Sequence, residues 1–147
     1  MKKLMLALIL ITTGLCAFER KADSFTYTAI GADLILPAVT IGVRKWEEDS
    51  GFDINLNFSS FIVINRLSLG VSHLKKFNNN TYLGLGAGAF VALVNDDYDY
   101  VLNAGVFPCL KFGVELESSF HEIGLVIPQI SSCGIMFFPL VSYRFGF

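Results

Sequence analysis

A chain of 147 residues that is 53% hydrophobic and 14% aromatic but only 16% charged is too greasy, and too rich in Phe and Gly, for a disordered protein. Its formal net charge is −2, and no basic patch invites nucleic acid. Three Cys, two His and no CxxC pair leave almost nothing from which to build a zinc site, and neither a metal nor a cofactor is expected.

Lys2 and Lys3, the apolar stretch from Leu4 to Ile11 and the small residues before Leu15-Cys16-Ala17 match the three regions of a secretory signal. Residues 1–17 are expected to be removed after Ala17, leaving one domain over 18–147. The apolar run is well short of the roughly 20 residues a spanning helix needs. Lipidation at Cys16 is the weaker reading, because Leu15 stands where a small residue belongs. Eleven Lys and Arg, less Lys2 and Lys3, against thirteen Asp and Glu leave the remaining chain at −4. Further on, the most apolar candidate helix, 30–43, is interrupted by Asp33 and Pro37.

The rest of the chain is a series of short segments with period-two alternation. Val39, Ile41 and Val43 oppose Thr40, Gly42 and Arg44, and the polar run Glu47-Glu48-Asp49-Ser50-Gly51 closes that segment. Phe52, Ile54, Leu56 and Phe58 then oppose Asp53, Asn55, Asn57 and Ser59 without an exception. After a turn near Ser60, Leu67, Leu69 and Val71 oppose Arg66, Ser68, Gly70 and Ser72, and Asn78-Asn79-Asn80 reads as a turn. Gly84, Gly86 and Gly88 alternate with Leu83, Leu85, Ala87 and Ala89. Leu110, Phe112, Val114 and Leu116 oppose Lys111, Gly113, Glu115 and Glu117, and the last segment sets Val141, Tyr143, Phe145 and Phe147 against Ser142, Arg144 and Gly146. Strands are expected over 24–35, 38–47, 51–60, 62–75, 80–93, 98–107, 109–118 and 134–147, with a tight turn at Pro108-Cys109. Residues 119–133 either add strands or extend their neighbours, so ten strands remain open beside eight. Cys109 and Cys133 would survive cleavage of the signal, and their pairing stays open.

Alternation alone does not say which face points inward. A row of glycines on a solvated outer face would weaken a strand for no gain, whereas in a narrow lumen it leaves room for side chains from the opposite wall. The polar faces also carry both signs of charge: Arg44, Arg66, Lys111 and Arg144 against Asp53, Glu115 and Glu117. In a lumen these groups can pair. The expectation is an all-β fold, a closed antiparallel up-and-down transmembrane β-barrel of eight strands with a polar inside and an apolar outside.

The signal segment, the Gly-alternating Tyr82-Leu83-Gly84-Leu85-Gly86-Ala87-Gly88-Ala89-Phe90 and the closing Tyr143-Arg144-Phe145-Gly146-Phe147 together resemble the small outer-membrane β-barrel proteins of bacteria with two membranes. That resemblance implies location in the outer membrane, outer-membrane lipids as surroundings, and recognition of the last strand by the assembly machinery through Tyr143, Phe145 and Phe147. It implies no oligomeric state. With both ends on the periplasmic side, the connections near Leu36-Pro37, Ser60-Phe61, Asn95-Asp96-Asp97-Tyr98 and 119–133 would be external, and the first three are too short for a specialised adhesin.

For catalysis at the barrel wall the pieces at hand are Ser118, Ser119, His121 and Glu122, with His73 elsewhere. In a strand, His121 and Glu122 point to opposite faces, so that Glu is poorly placed to orient that His, and no catalytic residue is assigned. Asp96, Asp97 and Asp99 read as a solvated loop rather than a cation site. Trp46, Tyr82, Tyr98, Tyr100 and Tyr143 read as an interfacial girdle rather than a stacking site. The leading expectation is a structural or cell-surface barrel whose lumen is closed by paired charges. A narrow ion pore, a lipid-modifying enzyme using Ser119 and His121, and a soluble periplasmic lipid carrier are the alternatives.

Overall fold

Among the described residues ten strands arise from the alternating segments, and in the computed structural model they form one closed antiparallel sheet. The structure describes residues 24–33, 36–61, 63–78, 80–96, 99–126, 129–132, 134–136 and 140–147. The strands are β1 (Ser24–Asp33), β2 (Leu36–Glu47), β3 (Ser50–Phe61), β4 (Ile64–Lys76), β5 (Thr81–Asp96), β6 (Asp99–Glu115), β7 (Phe120–Val126), β8 (Gln129–Ser131), β9 (Gly134–Met136) and β10 (Leu140–Gly146). Each of β1 to β6 pairs with the next, β7 pairs with β10, and β10 returns to β1. This is the expected eight-stranded up-and-down barrel. The seam is completed beyond β10, where Thr28 and Phe147 exchange both backbone hydrogen bonds. The short β8–β9 hairpin extends the wall, with β8 pairing with β6 through Gly105 and Val106.

The strands expected over 98–107 and 109–118 are one, and the strand expected over 134–147 is divided into β9 and β10. The turn expected at Pro108-Cys109 does not exist, because β6 runs unbroken through both residues, opposite Ala87 and Gly86 of β5. Cys109 is the last β6 residue paired with β7 and Val106 the first paired with β8, so Pro108 sits opposite the break between those two elements. A proline there removes no ladder hydrogen bond to a β7 or β8 residue. The seventh barrel strand is β7, inside 119–133, a segment that is therefore wall rather than external connection. The chain reverses at 116–119, on the rim where Ser24 and Phe147 lie.

The polarity of the wall is inverted relative to a soluble barrel. Ile41, Val43, Ile54, Leu56, Leu69 and Val91 are among the exposed large apolar side chains of the outer face. Inside lie Thr40, Arg44, Asp53, Asn55, Asn57, Ser59, Ser72, Lys111 and Glu122, all buried. Register explains how the lumen is filled. Six inward aromatics each face a glycine directly across the ladder: Tyr27 and Gly42, Trp46 and Gly51, Tyr82 and Gly113, Phe90 and Gly105, Phe107 and Gly88, Phe120 and Gly146. A Cβ at any of these glycines would collide with the partner ring. The ring lies over the bare backbone opposite it, so a narrow cross-section accommodates large side chains.

Candidate functional site: the lumenal charge cluster

The centre of the site is Arg44, on the inward face of β2 and completely buried. Its Nε donates to Asp53 Oδ1 at 3.2 Å, Nη1 to Glu115 Oε1 at 3.1 Å and to the Tyr82 hydroxyl at 2.8 Å, and Nη2 to Glu122 Oε2 at 2.8 Å. The guanidinium carbon also lies 4.4 Å from the Phe120 ring centroid and 4.7 Å from that of Tyr82. One planar fork thus gathers carboxylates from β3, β6 and β7, a task that suits Arg and not Lys.

Around this centre the remaining lone pairs are used. Lys111 Nζ approaches Asp53 Oδ2 at 2.7 Å and Glu122 Oε1 at 3.7 Å. Asp53 also accepts from the Tyr27 hydroxyl at 2.8 Å and from Asn55 Nδ2 at 2.7 Å, while Glu122 accepts from the Tyr82 hydroxyl at 2.8 Å. Trp46 Nε1 donates to Glu115 Oε1 at 3.0 Å. Arg144 Nη1 is 3.5 Å from Glu122 Oε1, close enough for Coulombic attraction but outside hydrogen-bond geometry. Three cations, Arg44, Lys111 and Arg144, therefore meet three carboxylates, Asp53, Glu115 and Glu122. The cluster is neutral, which is the condition under which burial of so many charges is tolerable.

Of the seven charges expected in the lumen, the structure brings together Arg44, Asp53, Lys111, Glu115 and Arg144. Glu117 does not belong: β6 ends at Glu115, and Glu117 is exposed in the following connection. Arg66 faces the lumen but lies apart, its guanidinium over the Phe90 and Phe107 rings, and it makes no ion pair with any described residue. Glu122 is the member that sequence reasoning missed. Its signal was available, since Phe120, Glu122 and Gly124 share the parity that places polar and glycine residues inside.

Trp46 and Tyr82, expected in an outer girdle, are instead buried lumenal residues that donate to the cluster. Tyr100 and Tyr143 do face outward and are exposed, and Tyr98 lies outside the described residues. Tyr143, Phe145 and Phe147 share the outer parity of the last strand and its end, with Phe145 and Phe147 ring centroids 6.0 Å apart. His121 is also outside, its Nδ1 2.8 Å from the Tyr143 hydroxyl, while Glu122 is inside. The two therefore do not meet. Cys109 is a free thiol on the lumenal face, its Sγ 3.7 Å from Ser72 Oγ; Cys133, residues 1–17 and the side chains of the acidic loop at Asp96, Asp97 and Asp99 lie outside the described residues. Among the described residues no group of His, Cys, Asp and Glu could hold a metal ion.

Beside the cluster lies a small cavity of about 30 Å³, lined in part by Asn55, Ser68, Cys109, Lys111, Ser142 and Arg144. That is room for about two waters. Comparison of the chain with protein-family models, with curated proteins and with solved structures finds no match.

Proposed function

We infer that the protein is a small outer-membrane β-barrel with a structural or cell-surface role, non-catalytic, its lumen plugged by the Arg44 cluster. The observation that carries this reading is the inverted wall: a belt of exposed Ile, Leu, Val and Phe surrounds an interior of buried polar and charged side chains. Monomeric soluble proteins rarely expose apolar patches beyond a few hundred Å², whereas an outward apolar band is what lipid requires. Strand length supports it. β2 to β6 contain 12, 12, 13, 16 and 17 residues, above the roughly 9 to 11 that a tilted strand needs to span hydrocarbon, while β1, β7 and β10 contain 10, 7 and 7 of the described residues. Closure of the sheet leaves no edge to face lipid among the eight barrel strands.

The plug reading rests on the neutrality of the cluster and on the bonds that Arg44 and Lys111 make to Asp53, Glu115 and Glu122 across the lumen from β2 to β7. A soluble lipid carrier would need a roomy apolar cavity, whereas the inward aromatics here pack against glycines and the buried charges occupy the space between them. An enzyme of the proposed kind would need Ser119, His121 and Glu122 to converge, and they lie on a connection, the outer face and the lumen respectively. The test is fractionation of the full-length protein expressed with its own leader, with gel mobility compared before and after boiling. Recovery with the outer membrane and a heat-dependent shift are expected. Release by osmotic shock with no shift would overturn the reading. In planar bilayers the folded protein should show no discrete conductance steps, and regular steps would replace the plug with a pore.

A further inference from the structure

Of the three lumenal arginines, Arg144 has Glu122 at 3.5 Å, and the other two are in opposite circumstances. Arg44 spends its guanidinium on three carboxylates and a tyrosine, whereas Arg66, on the inward face of β4 toward the rim remote from the chain ends, makes no hydrogen bond to any described residue. What holds Arg66 is stacking: its guanidinium carbon lies 4.4 Å from the Phe90 centroid and 5.3 Å from that of Phe107. Stacking on an aromatic face fixes the plane of the fork without consuming its N–H groups.

A second unspent polar group lies beside it. Ser59 is the direct cross-strand partner of Arg66, is completely buried, and its hydroxyl has no hydrogen-bond partner among the described residues. The buried Nε of Arg66 is likewise unpartnered. Two adjacent buried donors without acceptors are costly unless something accepts from both. The acid that acts on Arg66 electrostatically is Asp33, which forms no ion pair with it and whose Oδ2 already accepts from Asn57 Nδ2 at 2.5 Å. Arg66 itself is only partly buried, in contrast to Arg44.

We propose that Arg66 and Ser59 form a binding site for a small oxyanion, a phosphate or carboxylate group, at the lumenal mouth away from the chain ends. Two parallel guanidinium N–H groups match two oxygens of such a group, and the Ser59 hydroxyl supplies a third donor. The inference rests on lumenal geometry alone and stands whether or not the barrel resides in an outer membrane.

The experiment uses the full chain folded in detergent micelles, with its heat-dependent gel shift as the check on folding. Inorganic phosphate, acetate and chloride are titrated at fixed ionic strength, read by calorimetry and by the ¹⁵N shifts of the arginine Nε groups. Saturable binding of phosphate and acetate that moves the Arg66 Nε signal is expected, at least tenfold weaker in Arg66→Lys, which keeps the charge and loses the fork. Ser59→Ala should weaken it severalfold. No saturable binding in the wild type, equal affinity in Arg66→Lys, or chloride binding as tight as phosphate would each overturn the proposal. A short-chain phosphatidic acid separates the two sources of the group. Tighter binding than inorganic phosphate assigns it to a lipid headgroup, and equal or weaker binding to a soluble solute, the site standing in both cases.

Discussion

Replacing Arg44 by Met keeps an unbranched side chain in place but removes the charge on which three carboxylates converge. The surviving partners set the size of the effect. Asp53 retains Lys111 at 2.7 Å, the Tyr27 hydroxyl and Asn55; Glu122 retains Tyr82 but only the more distant Lys111 and Arg144, at 3.7 and 3.5 Å; Glu115 retains Trp46. The cluster passes from neutral to a net charge of −1 inside a lumen where Arg44 and Asp53 are fully buried. Breaking a buried pair on one side costs about 3 to 5 kcal/mol, and because each carboxylate keeps one donor the lower part of that range, about 3 to 4 kcal/mol, is expected. The assay is urea unfolding of the barrel folded in lipid vesicles. At a slope of about 2 kcal/mol per molar urea, the midpoint should fall by about 1.5 to 2 M. Adding Glu122→Gln restores neutrality, so the double variant should be less destabilised than the two single changes summed, by about 1 to 3 kcal/mol. A midpoint for Arg44→Met within about 0.5 M of wild type, with no coupling to Glu122, would mean that water screens the cluster and that it does not hold the lumen together.

The other expectations probe separate parts of the fold by the same unfolding measurement. Leu56→Arg places a charge on the outer belt and should cost about 2 to 4 kcal/mol in vesicles if that position is near the bilayer midplane; no cost there would argue against a lipid-facing wall. Gly113→Val sets a branched side chain against the buried Tyr82 ring, and an overpacking cost of about 1 to 3 kcal/mol is expected, partly relieved by Tyr82→Ala in the same chain. Glu48 has a φ of 55° in the two-residue turn between β2 and β3, so Glu48→Gly should stabilise the barrel by about 1 kcal/mol or leave it unchanged, and a clear loss would show that its side chain has a role. Pro108→Ala should change stability by less than about 1 kcal/mol, since Pro108 occupies the break between β7 and β8, whereas a large loss would place Pro108 in a ladder that needs its geometry.

Most of the barrel is legible because its strands read as polar inside and apolar outside with period two, and β2 to β5 follow that pattern almost residue for residue. The failure at β6 has a definite cause. Pro108 reads as a turn because a proline withdraws an N–H from the ladder, but a ladder bond is lost only where a partner strand is present to accept it. Whether Pro108 faces a partner depends on where β7 and β8 meet, a tertiary fact absent from local sequence. Once β6 is allowed to run through, the segment 119–133 is released to supply the seventh strand, and the total of eight is recovered.

The site is legible through the same parity, which proves a better guide than rules about residue type. Trp46 follows Arg44 by two residues and Tyr82 precedes Gly84 by two, so both share the lumenal face, although a rule about aromatics near strand ends would place them outside. Glu122 shares its face with Gly124, and the opposition to His121 that spoils it for catalysis is the same fact that turns it into the lumen. What parity does not carry is which lumenal charges meet. Arg44 reaches Glu122, 78 positions away, because the closed ring sets β2 across the lumen from β7. Arg66 sits on the same inward surface, but its level in the barrel gives it Phe90 and Phe107 in place of carboxylates. Two chemically identical side chains thus acquire different roles from height alone: one is saturated and closes the lumen, while the other is held by its flat faces with its donors unspent.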